Sequence, residues 1–148
     1  MSWAALFAAA NSVALVLWLC LIAAPRRWCT IGVLRLAGAG GLSLGYVALV
    51  SIALSVGFGG APRSAPDFST IAGIRAIFTS DGGVVTGWLH YLALDLFAGL
   101  WIAEDSDARA ISRLVQAPIL MLTFLAGPAG LFVHLLATRV FGLGRRPD

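Results

Sequence analysis

The chain has 148 residues, 59% of them hydrophobic and 11% charged, with a formal net charge of +3. A soluble domain is closer to half apolar and a quarter charged, and a chain this short has no interior able to hide so much apolar surface. Every basic residue is Arg, placed singly or in pairs at the ends of apolar runs, a pattern that excludes a nucleic-acid partner and fits anchoring to membrane lipid.

A spanning helix needs about 20 mostly apolar residues, and four segments qualify. The first runs from Trp3 to Ala24 and stops at Pro25-Arg26-Arg27. No basic stretch precedes Trp3, so this run is expected to be a retained helix rather than a signal peptide. Cys20 and Cys29 lack metal-ligand spacing and read as small buried hydrophobes. The second span runs from Leu34 to Phe58, with Arg35 as anchor and Gly57-Phe58-Gly59-Gly60-Ala61-Pro62 as breaker. Its Ala37, Gly38, Ala39, Gly40, Gly41, Ser43 and Gly45 predict close helix approach. Next, Phe68, Ile71, Ile74, Ile77 and Phe78 fall three or four apart and predict a short amphipathic helix. Asp67 is its expected N-cap and Ser80-Asp81-Gly82-Gly83 its exit; the pattern suits a helix in the membrane interface and equally one packed in a loop. The third span, Val84 to Ala103, ends at Glu104-Asp105-Ser106-Asp107, read as a solvated loop. The fourth runs from Arg113 to Phe141.

Backbone groups in hydrocarbon must be paired within each segment, and the apolar runs do not alternate as barrel strands do. The prediction is therefore all-α: an integral membrane four-helix bundle, one transmembrane domain over residues 1–148, with a short interfacial amphipathic helix between the second and third spans. With four spans, face A carries the N-terminus, the long loop and the tail, hence Arg63, Arg75, Arg139, Arg145 and Arg146. Face B carries Arg26, Arg27, Arg35, Arg109 and Arg113. Five against five leaves the positive-inside rule silent on orientation. The sequence is equally silent on oligomeric state.

Ionisable groups at membrane depth are functional candidates by default. Three qualify: His90, Asp95 and His134. At about 1.5 Å per residue, His90 lies about 9 Å and Asp95 about 17 Å in from face A. A fourth span returning to face A places His134 at the depth of His90, and Gly127-Pro128-Ala129-Gly130 at that of Asp95. Asn11, Ser51 and Ser55 fall in the same half, so the polar residues converge on one leaflet. Around an ideal helix His90 and Asp95 stand about 140° apart, whereas Trp88, Tyr91 and Asp95 share a face. A mid-depth carboxyl must be neutral or well paired, which favours a functional reading of Asp95. His90 alone more readily reads as a structural hydrogen bond, His134 is open between the two, and Trp88 and Tyr91 also suit packing. Pro128, flanked by glycines, is expected to kink the fourth helix and make room for substrate.

The run Gly87-Trp88-Leu89-His90-Tyr91-Leu92-Ala93-Leu94-Asp95-Leu96-Phe97-Ala98-Gly99, with Pro118 and the stretch Leu122 to Leu131, resembles the abscisic-acid-deficient-four, or neoxanthin-synthase-like, family. Asn11, Trp18, Pro25 and Thr30 resemble its N-terminal pattern. In plants that family is tied to forming neoxanthin from violaxanthin, an isomerisation that opens an epoxide and leaves an allene. The resemblance implies a membrane protein acting on, or binding, a carotenoid-like lipid. The compact Arg-only chain without a plastid transit peptide suggests a bacterial member in the inner (cytoplasmic) membrane.

That reaction needs an acid for the oxygen and a base for a neighbouring C–H, and no redox cofactor or metal. Asp95 is the candidate acid, with His90 and His134 as catalytic partners in either role. Asn11, Trp88, Tyr91, Gly127, Pro128 and Gly130 are the candidate substrate-binding residues. Two other readings stay open: carotenoid binding or assembly without turnover, and a haem held by His90 and His134.

Overall fold

The computed structural model describes residues 2–26, 28–57 and 67–144, the side chains of Trp28 and Cys29 excepted. Arg27, Arg63, Arg145, Arg146 and the breaker from Phe58 to Pro62 lie outside the described residues. Among the described residues all regular structure is helical. Three helices, Trp3–Ala23, Thr30–Val56 and Asp81–Ala108, are long and apolar enough to cross a membrane, consistent with a membrane protein.

Helix α1 (Trp3–Ala23) starts where the Ser2 side chain accepts from the Ala5 N–H at 3.2 Å. It buries one stripe, Ala10, Ala14, Trp18 and Leu21. Trp18 lies over Gly99, where a Cβ would stand 2.4 Å from the indole ring. Helix α2 (Trp28–Val33) runs through a π-helical stretch, Leu34–Ala39, into α3 (Gly40–Val56). There Gly38 sits against Leu17 and Leu96, a close approach of the kind the small-residue run predicts.

The expected amphipathic helix is present as α4 (Ile71–Ile77). Its N-cap is Thr70, whose Oγ1 accepts from the Gly73 N–H at 3.0 Å, and not Asp67. Asp67 instead braces the cap by accepting from Ser69 and Thr70. Those donors, the Ser69 hydroxyl foremost, hold its carboxyl below the usual carboxylate range. The Ser80–Gly83 stretch does not close α4 but opens the next helix, since Ser80 Oγ accepts from the Gly83 N–H at 3.1 Å.

Helix α5 (Asp81–Ala108) is the spine. Half (50%) of its apolar window is buried, against 22% and 17% in the other two long helices. It continues through Glu104-Asp105-Ser106-Asp107, so the acidic run is the helix's last turns and not a solvated loop. Arginine pairing is the reason: Arg35 meets Glu104, Arg109 meets Asp105 at 2.6 Å, and Arg26 meets Asp107 at 2.9 Å. Arg26 also donates to the Leu21 and Ala103 carbonyls and to buried Gln116, while Arg113 donates to the Ile22 and Ala24 carbonyls. Burial pulls the Arg26 guanidinium below its ordinary value, with Asp107 acting in the opposite direction. These two arginines satisfy the free carbonyls ending α1; they do not reach out as headgroup anchors.

The fourth predicted span is not one helix. The chain forms α6 (Arg113–Leu125), breaks at Ala126, and resumes as α7 (Gly127–Leu135) with a π-helical end, Leu136–Val140. Arg113 is tied to the end of α1, the Leu125 carbonyl meets Tyr91 midway along α5, and His134 lies back at Asp105. A Cβ on Gly130 would touch Thr123, so α7 runs back beside α6. The segment is a helical hairpin whose two ends share face B and whose tip stops near the middle of α5. Pro128 sits in the first turn of α7, where its missing N–H costs nothing, so it starts a helix rather than kinking one.

Candidate functional site

The hairpin tip meets α5 at Asp95. Gly127, first residue of α7, approaches so closely that a Cβ would lie 1.9 Å from Asp95 Oδ1. The carboxyl thus faces a helix N-terminus, where free N–H groups favour an acidic partner. The Gly127 backbone and the Tyr91 hydroxyl are its polar neighbours. Asp95 is 8% exposed, and its Oδ2 is buried with no hydrogen-bond partner among the described residues. An unmet carboxyl oxygen in a buried position is costly to keep, which makes Asp95 a candidate functional group.

An aromatic column leads from this point toward face A. The Tyr91 hydroxyl donates to the Leu125 carbonyl at 3.1 Å, and its ring stacks on Trp88 at 5.1 Å between centroids. Trp88 Nε1 donates to Asn11 Oδ1 at 3.0 Å, and Asn11 in turn donates to the Phe7 carbonyl. Asn11, Trp88, Tyr91, Asp95 and Gly127 are therefore one connected group. Pro128 is exposed beside it, and Gly130 serves the hairpin by packing on Thr123.

The two histidines stand elsewhere. His90 projects from another face of α5, with its ring 5.1 Å from that of Tyr46 on α3. It lines a cavity of about 390 Å³ walled by α3, α4 and the start of α5. His134, expected at the depth of His90, lies at the other end of α5, because α7 turns back to face B. Its Nε2 is 3.0 Å from Asp105 Oδ2, which also accepts from Arg109 Nε. His134 is fully buried, edge-on to Trp101, and its Nδ1 has no partner among the described residues. Along α5 the levels of His90 and Asp105 differ by about 22 Å at 1.5 Å per residue, so no single iron reaches both rings. The polar residues do not gather in one leaflet: they form a middle site, a face A cavity and a face B cluster. Asp105, Arg109 and Gln116 belong to that last cluster and were not singled out from sequence. The four-residue spacing of Asp105 and Arg109 was their available signal.

Residues 5–134 match the model of the ABA DEFICIENT 4-like (ABA4-like) family. The chain belongs to the ABA4-like family. No curated protein and no solved structure matches it. Membership fits the three apolar helices and points to a carotenoid-related membrane protein. The matched region of this ABA4-like chain runs from α1 to His134 in α7, so it takes in the Asp95 site, the His90 cavity and the hairpin.

Proposed function

We propose that this ABA4-like chain is a multi-pass protein of a bacterial cytoplasmic membrane that binds and isomerises a carotenoid or related isoprenoid lipid. In the bilayer its single domain is a four-unit bundle: α1, α2–α3 and α5 cross, the α6–α7 hairpin fills the fourth place, and α4 lies in the interface. The observation that carries the reading is Asp95, buried at mid-depth with Oδ2 unmet and an aromatic column beside it.

The chemistry follows from one carboxyl group acting twice. Asp95 gives its proton to the epoxide oxygen as the C–O bond breaks, and the resulting carboxylate takes a proton from the neighbouring carbon. Hydrogen is conserved and no electron acceptor is consumed. The Gly127 backbone flanks the carboxyl between the two steps, and the Tyr91 hydroxyl, donated to the Leu125 carbonyl, stands beside it. Asn11, Trp88 and Tyr91 form the substrate wall, and the Gly127–Gly130 stretch forms the tip against which it rests. His90 and His134 act outside this centre, one toward bound lipid and one on the hairpin.

The test is pigment conversion by purified protein in nanodiscs loaded with an epoxy-carotenoid, read by chromatography. Asp95→Asn is expected to lower turnover by about 10²–10⁴-fold, the usual range for losing a general acid–base, with the fold intact. Full turnover by that variant ends the scheme. Binding without turnover has one observation in its favour: the cavity opens at His90 and not at Asp95. On that reading pigment is retained unchanged by wild type and by Asp95→Asn alike.

A further inference from the structure

The cavity beside His90 combines three properties. It is walled almost wholly by apolar side chains: Val50, Ala53 and Leu54 from α3, and Ile74, Ile77 and Phe78 from α4 or its C-terminal edge. Its volume of about 390 Å³ falls within the range of small-molecule sites, about 300–1,000 Å³. His90, which lines it together with Tyr46, is exposed, has its ring 5.1 Å from that of Tyr46, and has no hydrogen bond among the described residues.

Helix α4 makes the cavity. Its cap at Thr70 and the brace from Asp67 fix where it starts, and Phe78 packs onto Gly87, where a Cβ would stand 2.5 Å from the ring. The roof is therefore held at both ends. The side open to lipid is also defined. His90, Leu94, Phe97 and Trp101 recur at four, three and four residues, and this exposed stripe of α5 begins at the cavity. A molecule in the bilayer can slide in along the stripe without passing through water.

An imidazole in hydrocarbon with neither nitrogen paired is unfavourable by the cost of an unmade hydrogen bond. A purely hydrocarbon occupant would leave that cost in place, and a phospholipid tail carries no polar atom at this depth. We infer that the cavity is a binding site for an isoprenoid lipid whose apolar end group fills the space under α4 and whose hydroxyl, ether or carbonyl oxygen meets His90. This rests on the proposed role as an isoprenoid-binding membrane protein, and not on catalysis at Asp95. It assigns His90 to recognition and separates recognition from the Asp95 centre on another face of α5.

The experiment is binding to the full chain in nanodiscs with three probes: zeaxanthin, β-carotene, which has the same carbon skeleton without hydroxyls, and geranylgeraniol, a shorter isoprenoid alcohol. Retained probe is quantified after gel filtration for wild type, His90→Leu and Ala53→Trp. Ala53→Trp fills the cavity from α3, while His90→Leu alters an exposed side chain with no hydrogen bond to lose and so guards against a folding artefact. Zeaxanthin is expected to bind wild type about tenfold more tightly than β-carotene, the scale of one hydrogen bond. His90→Leu should erase that difference, and Ala53→Trp should abolish retention of both. Geranylgeraniol bound in a manner sensitive to both cavity variants, with zeaxanthin not bound, upholds the site and overturns the carotenoid reading. Zeaxanthin bound equally by wild type and both cavity variants overturns the site and leaves the carotenoid reading standing. No variant-sensitive binding of any probe overturns the site.

Discussion

Gly130→Ala is expected to destabilise the protein by the upper end of the overpacking range, about 3 kcal/mol or more, although Gly to Ala in a helix ordinarily stabilises. A Cβ at this position would stand 2.0 Å from Thr123 Oγ1, 2.5 Å from its N and 2.6 Å from its Cα. The hydroxyl could rotate away, but the backbone cannot, so α6 and α7 would have to part. Parting them withdraws Gly127 from Asp95 and the Leu125 carbonyl from Tyr91. Gly41→Ala is the matched control, because a Cβ there meets nothing within 4 Å, and it should be neutral or stabilising by up to about 1 kcal/mol. Thermal unfolding of both variants in detergent, followed by circular dichroism, reads the contrast. Equal midpoints for Gly130→Ala and wild type would mean that α6 and α7 do not pack this closely, and the hairpin would fall with that result.

Removing the Asp105 carboxyl should cost about 3–5 kcal/mol, the usual penalty for stripping one partner from a buried ionic group. Asp105 Oδ2 is shared by Arg109 and His134, and the three side chains are 10%, 7% and 0% exposed. Asp105→Ala leaves a buried guanidinium and a buried imidazole with no acceptor between them. It also unfastens α7 from the end of α5. Glu104→Ala, one residue earlier, removes an ion pair whose side chains are 51% and 41% exposed, and should change stability by about 0–1 kcal/mol. Adding His134→Leu to Asp105→Ala should recover part of the loss, because one orphaned polar group goes with it. Urea or SDS titration of the four proteins, wild type included, measures these differences. Indistinguishable losses for Asp105→Ala and Glu104→Ala would remove the case for the cluster as the hairpin's fastening.

Much of this was open to reading in the residues. Long apolar runs with Arg at their ends located the three long helices to within a few residues, save that α5 runs on through the acidic turn. The period of Phe68 to Phe78 located α4. Tyr91 and Asp95 were placed on one face by spacing alone, and they do meet at one site. The hairpin was not read, because hydropathy over residues 113–141 is the same for one crossing helix and for two shorter antiparallel ones. Two signals spoke against a single span. Twenty-nine residues exceed what a bilayer needs, and Ala126-Gly127-Pro128 is as good a helix start as a kink. Misreading that turn carried His134 to the wrong end of the molecule. The acidic run misled for a different reason: isolated carboxylates look solvated, and two of their partners, Arg26 and Arg35, are assigned by tertiary packing that no local pattern prints, while the i,i+4 spacing of Asp105 and Arg109 was the one local sign.

A hairpin that turns back at mid-depth contributes no crossing. On the proposed placement in the bilayer the three long helices make an odd number of crossings, so Ser2 and Gly144 emerge on opposite sides; Gly144 lies beside the Arg109 carbonyl. Among the described arginines only Arg75 then belongs with the N-terminus, while Arg26, Arg35, Arg109, Arg113 and Arg139 belong with the other side. The tie becomes a clear excess, and the insertion machinery, which reads charge on the emerging chain before any of these pairs form, should keep the Arg-rich side in the cytoplasm. A fluorescent protein fused at the C-terminus is expected to glow inside the cell, and alkaline phosphatase fused within residues 58–66 to be active outside; the reverse pattern would refute this orientation. With that orientation the cavity under α4 opens to the outer leaflet, so its lipid would be drawn from the side of the membrane away from where isoprenoids are made.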